Sequence, residues 1–175
     1  AATLAHRQCS SNAAVYHVGY SAETLAAMPI LTPTGKPIFS QSFLATITRD
    51  PLVYRNLISF KTEYPVFVEY ARHRKSKQIA IVYANLPETN EEFKTFVIPA
   101  LVKDGWEKSD FLLFPYSLDE TDFRTLASKV QQRSPDLIII NGFQSTLAPF
   151  VMGLRTLGMV NDGNFIGTFD LIDVP

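Results

Sequence analysis

Four short apolar runs, separated by stretches of helical period, constrain this chain more than any other feature. They fall at residues 78–84 (QIAIVYA), 111–115 (FLLFP), 136–140 (DLIII) and 164–168 (NFIGT). Hydrophobicity that is continuous rather than alternating, over so few residues, predicts parallel strands buried on both faces. An open parallel sheet meets its ligand beyond the carboxyl ends of its strands. Function is therefore sought at that rim.

The intervening stretches supply the helices. A helical pattern around 65–73 carries Pro65, which fits a first turn, where an amide donor is not missed. Residues 89–92 (TNEE) read as a capping box that starts the next helix at Thr89. Phe93, Phe96, Val97, Ala100 and Leu101 then mark one apolar face. Pro99 interrupts it and demands a bend. A third helix is expected over 119–133 and a fourth over 146–157, ended by Gly158 in a left-handed conformation. Upstream, residues 12–18 and 36–40 read as strands and 21–28 as a short helix with Glu23 near its positive end. A loop from Leu44 to about Tyr54 is the best candidate boundary.

Composition sets the limits. The 175 residues are 46% hydrophobic and 19% charged, enough for a real core. A formal net charge of −1 gives no reason to expect nucleic acid. Arg72, Arg74, Lys75 and Lys77 cluster before a strand and read as a solvated helix end whose cations suit the C-terminal dipole. Cys9 is the single cysteine, so an intrachain disulfide is excluded; it reads as a packing residue or surface thiol. No run approaches the ~20 apolar residues of a membrane span.

The usual catalytic signatures are absent: no phosphate-binding Gly-rich loop, no dinucleotide fingerprint and no nucleophile elbow occur. His6, His17 and His73 have no metal-ligand spacing, so neither a metal nor a cofactor is expected. His17 reads as a core or edge histidine, and Asp119, Glu120 and Asp122 as helix-start residues. What remains is the set at the strand ends: Gly19, Tyr20 and Ser21; Ser40, Gln41 and Ser42; Asn85; Tyr116 and Ser117; Asn141, Gly142 and Phe143; Phe169 and Asp170. Small, hydroxyl and aromatic side chains gather where an α/β sheet binds its ligand. Ser21 also opens a helix, so its amide and hydroxyl suit a carboxylate.

Residues 77–83 (KQIAIVY), 93–105, 122–123, 134–142 (SPDLIIING), 154–158 (LRTLG) and 165–168 resemble the type I periplasmic binding proteins. Within these the likeness is greatest to the branched-chain amino acid (Leu/Ile/Val) receptors of ABC importers. Val18 to Ser21, Pro37 to Ser40 and Val53 to Arg55 extend the likeness upstream. The resemblance implies a Rossmann-like α/β fold, a parallel sheet with helices on both faces, in an incomplete two-lobe architecture. Residues 1–55 would be the end of a first lobe, 56–168 most of a second, and 169–175 the start of a return segment. Ala1 begins mid-pattern and Pro175 follows a strand closely, so a fragment of a longer protein is expected.

By the same resemblance, Ser21 holds an amino acid's carboxylate, Ser40 and Ser42 bind the carboxylate or the ammonium, Phe143 falls where the family often places an aromatic, and Asp170 lies within one residue of the acidic group expected to pair with the ammonium. The resemblance implies lobe closure over an amino-acid-like solute and handover to the membrane permease of an ABC importer, in the periplasm or outside the cell. One departure stands out: the family's frequent Tyr-Gly after the strand at Ala84 is replaced by Leu86, Pro87 and Glu88. Two other readings stay open, a ligand-sensing domain of a receptor or regulator, and a small hydrolase using Ser21 or Asp170.

Overall fold

The computed structural model describes residues 1–142, 144–160 and 163–168; at 144–146 it describes the backbone. The chain divides into two compact units, Ala1–Thr62 and Glu63–Pro175.

The first unit contains α1 (Ala2–Cys9), β1 (Tyr16–Val18), α2 (Ser21–Leu31), β2 (Ile38–Ser40) and β3 (Val53–Arg55). Its three strands are parallel in the order β1-β2-β3. Tyr16, Ile38 and Val53 share a register row and bury one face against Ala5, Ala27 and Leu31 of the two helices. The alternate row, His17, Phe39 and Tyr54, is exposed, with the Phe39 and Tyr54 rings stacked at 5.5 Å. His17 is thus an edge histidine. Cys9 is half-buried and its Sγ donates to the Ile30 carbonyl.

Several expectations for this unit need correction. The strand expected over 12–18 is paired only from Tyr16, because residues 11–15 bend before joining the sheet. Helix α2 runs three residues past Met28 despite Pro29. The stretch expected as a loop holds a 3₁₀ turn (Ala45–Arg49) and then β3. A three-residue strand leaves too short a hydrophobic run to be read as periodic.

The second unit contains most of α3 (Phe60–Arg74), then β4 (Ile79–Ala84), α4 (Pro87–Glu91), a π turn (Glu92–Val97), α5 (Ile98–Lys103), β5 (Phe111–Tyr116), α6 (Phe123–Gln132), β6 (Leu137–Asn141), α7 (Gln144–Thr156) and β7 (Phe165–Gly167). The strands are all parallel, in the order β5-β4-β6-β7. Every residue of β4 and β6 is buried. Period-two geometry sends their side chains alternately to two cores. Ala80, Val82, Ile138 and Ile140 meet Phe123, Ala127, Phe150 and Leu154 of α6 and α7. Ile79, Ile81, Leu137 and Ile139 meet Phe67, Ala71, Phe93, Val97 and Leu101 on the other face. Each fully buried aliphatic side chain contributes about 1.5–3 kcal/mol, so these two strands anchor the unit. Parallel strands with helices on both faces are the expected fold class.

Three helix starts differ from expectation. Pro65 is the sixth residue of α3, not in its first turn; it is exposed, so its missing donor and displaced carbonyl face water. Thr89 is not an N-cap. The helix begins at Pro87, and the Thr89 hydroxyl accepts from the Leu86 amide at 3.2 Å while donating to the Ala84 carbonyl. Residues 119–122 stay outside α6, because Asp122 is its N-cap and accepts from the Arg124 amide at 3.0 Å. The bend demanded by Pro99 is present as the π turn just before it, where the Ile98 amide donates five residues back to Phe93. Gly158 ends α7's connection with φ +69°, as expected. At the basic cluster, Arg72 pairs with Asp104 and Glu69 at the surface, and its guanidinium holds the Asp104 carboxyl below the ordinary carboxylate range.

Candidate functional site

In the first unit, the carboxyl ends of β1 and β2 deliver four hydroxyls to one place: Ser21 and Thr24 from α2, Ser40 from the end of β2, and Ser42 from the turn after it. All four residues are fully buried. The Ser42 amide donates to Ser40 Oγ at 3.0 Å. The Leu44 amide donates to Ser42 Oγ at 3.1 Å, and Ser42 Oγ donates to Ser21 Oγ at 3.0 Å. Ser40 Oγ and Thr24 Oγ1 lie 2.7 Å apart, and Thr24 Oγ1 lies 3.1 Å from the Gly19 carbonyl and 2.9 Å from that of Tyr20.

A hydroxyl carries one proton, so the donors can be counted. Either member of the Ser40–Thr24 pair can be the donor, while Ser42 donates to Ser21. The Ser21 proton then has no acceptor among the described residues. It sits at the start of α2, where the N-cap is Tyr20, a residue whose side chain caps nothing. Among the described residues, the amides of Ser21, Ala22 and Glu23 also have no acceptor. Three donors at a helix's positive end, next to a spare hydroxyl proton, make a place for an anionic oxygen. Glu23 in the same turn is exposed and lies along Gly19, within 3.9 Å of where a Cβ would stand.

The structure thus brings together Ser21, Ser40 and Ser42, three of the five residues chosen from the sequence. Phe143 and Asp170 lie outside the described residues. Ser40 and Ser42 are occupied in holding Ser21 and the β2 turn, so their first role is support. Ser21's hydrogen-bond partner is another serine, not a base that could activate it. An apolar groove of about 420 Å³ beside β1, lined by Leu4, Val15, Tyr16 and Leu31 among others, also meets Gly19 and Glu23 at the edge of the network. Its polar lining is Gln8, His17 and Glu23, and Ser21, Thr24, Ser40 and Ser42 stay outside it.

In the second unit the rim is formed by Ala84, Tyr116, Asn141 and Gly167, the last residues of the four parallel strands, with Ala84 paired to Tyr116, Asn141 to Tyr83 and Gly167 to Ile140. Sequence reasoning passed over Glu92 by assigning it to a capping box. It is fully buried, and its Oε2 accepts from Asn141 Nδ2 at 2.7 Å. Tyr116 Oη lies 3.4 Å from the Asn141 carbonyl, to which it donates. Next to β6, the Thr168 amide donates to Ile140 at 3.1 Å, while its buried hydroxyl has no partner among the described residues. Burial pushes the Tyr83 phenol up from its ordinary value. The sequence signal that could have found Glu92 is its place between Glu91 and Phe93, ahead of Val97, where the apolar face of the helix begins. Among the described residues no group of His, Cys, Asp and Glu is arranged to hold a metal ion, and no helix is long and apolar enough to cross a membrane.

Residues 1–171 match the family described as periplasmic binding protein. No curated protein matches the chain in sequence. Among solved structures, an ABC transporter solute-binding protein from R. palustris in complex with 4-hydroxybenzoate superposes with a TM-score of 0.84 at 17% identity, over 98% of this chain and 47% of that one. The branched-chain amino acid transporter substrate-binding protein of Streptococcus pneumoniae, in complex with isoleucine, gives 0.76 at 15% identity, over 97% and 48%. A leucine-binding protein from Thermotoga maritima gives 0.74 at 20% identity, over 95% and 47%. The chain spans about half the length of each of these structures, which share its fold. With two parallel α/β units and a family match from end to near end, the chain belongs to the periplasmic binding protein family of type I.

Proposed function

We propose that this chain binds a small polar solute carrying a carboxylate, an amino acid or a comparable organic acid, on behalf of an ABC importer in the periplasm or outside the cell. The observation that carries the reading is the start of α2, where the amides of Ser21 to Glu23 and the Ser21 hydroxyl proton have no acceptors among the described residues. Isoleucine and 4-hydroxybenzoate, the solutes of two structural neighbours, differ in most respects but both carry a carboxylate. In this reading Ser21 and the helix amides hold that group, while Ser40, Ser42 and Thr24 keep Ser21 in place. Phe143 and Asp170 would contact the remainder of the solute, and a membrane permease would be the partner.

Calorimetric titration against isoleucine, leucine, 4-hydroxybenzoate and the corresponding amides tests this. A charge-assisted hydrogen bond contributes about 1.5–3 kcal/mol, so Ser21→Ala should weaken binding of the acids by roughly tenfold or more. The amides should bind weakly whichever residue stands at 21. Silence across the acids, or equal affinity of acid and amide, is incompatible with the proposal.

A further inference from the structure

The Glu92–Asn141 bond has no part in the carboxylate site of the first unit, and its position is unusual. Asn141 is the last residue of β6 and pairs with Tyr83 of β4, so the strand is already fixed by its ladder up to that point. Its side chain, held by Glu92, lies on the Ile139 face. Its carbonyl accepts from Tyr116, which packs in the core of the opposite face. The following residue, Gly142, is so closely approached that a Cβ would stand 1.9 Å from Tyr116 Oη. The end of β6 is therefore gripped from both faces of the sheet.

A buried carboxylate is a costly way to secure a strand, since apolar side chains of similar volume hold as well or better. What the bond adds is direction: it fixes the Asn141 side chain and the path of the chain into Gly142, at the rim where an α/β sheet meets its ligand. Glu92 also opens the π turn, which sends Glu92, Phe93 and Val97 all into the interior. Single π turns recur at functional positions.

We propose that Glu92 is a positioning residue: through Asn141 it sets the β6 rim of the second unit and thereby the selectivity among solutes. The selectivity part rests on the solute-binding reading above; the positioning part does not.

Three variants of the chain separate the roles. Glu92→Gln keeps an acceptor oxygen. Glu92→Leu removes it and strands the Asn141 amide. The double variant Glu92→Leu with Asn141→Leu replaces both ends of this bond by apolar groups, so neither end of it is left stranded. The readouts are the Thr168 amide resonance in the nitrogen–proton NMR spectrum, which reports on the end of β6 through its bond to the Ile140 carbonyl, and the ratio of affinities for isoleucine and 4-hydroxybenzoate. Glu92→Gln should leave the resonance in place and the ratio within about twofold. The double variant should remain folded, move the Thr168 resonance and change the ratio by about tenfold. An unmoved resonance, or a moved one with the ratio intact, overturns the proposal even if Glu92→Leu alone fails to fold. If the unaltered protein binds neither solute, the solute-binding reading falls, and the resonance still decides whether Glu92 positions the rim.

Discussion

At Gly142 the glycine is required by a neighbour and not by backbone angle: the Tyr116 hydroxyl occupies the space a Cβ would need. Gly142→Ala should therefore cost about 2–3 kcal/mol, as overpacking does. Tyr116→Phe in the same chain should recover part of it, because the ring carbon at 3.2 Å and Leu147 at 3.1 Å remain. Chemical denaturation of the single and double variants measures this; no recovery would mean the clash lies elsewhere. Thr168 offers the opposite case. Its hydroxyl is buried without a partner among the described residues, so Thr168→Val should be neutral or stabilising by up to about 1 kcal/mol. A loss of stability would show that the hydroxyl is bonded in solution. Of the candidate site, Ser21, Ser40 and Ser42 were legible because serine at a strand end and helix start is a local signal. Glu92 was not: Thr89, Asn90, Glu91 and Glu92 spell a capping box equally well whether the helix starts at Thr89 or two residues earlier.

At the scale of elements, α6 is the one whose start is decided by charge. Asp122 caps it, and its carboxylate also takes two bonds from the Arg124 guanidinium, at 2.8 and 2.7 Å. The Arg124 contacts hold the Asp122 carboxyl down to about 2. A depressed folded-state value means the contribution is complete above the unfolded value near 4 and is lost as pH falls through the folded one. The stability gap between the unaltered protein and Asp122→Asn should therefore be open at neutral pH and close between about pH 4 and pH 2. Denaturation curves taken across that range read it directly; a gap that survives at the acid end would remove the cap from the account. The helices at α4 and α5 teach a related lesson. Pro99 announced a bend in the sequence, and the chain met it with a π turn whose consequence, the burial of Glu92, depends on how the helix packs and not on its own residues.

At the scale of the molecule, the two units are held to different degrees. The second has two strands buried throughout and a core on each sheet face. The first has three strands of three residues and an exposed row of His17, Phe39 and Tyr54, unusual for a parallel sheet. Amides of β4 and β6 should accordingly exchange with solvent on the order of 100-fold more slowly than those of β1 to β3. Hydrogen exchange followed by mass spectrometry would show it, and equal protection would contradict it. By itself the sequence determined the four central strands, the helices between them and the rim where they end, because hydrophobic period is a local property that each segment displays alone. Only the tertiary structure decided which polar groups at that rim face one another. Ser42 meets Ser21 across 21 positions and Asn141 meets Glu92 across 49, and a hydrogen bond between residues so far apart leaves no periodic trace in either segment.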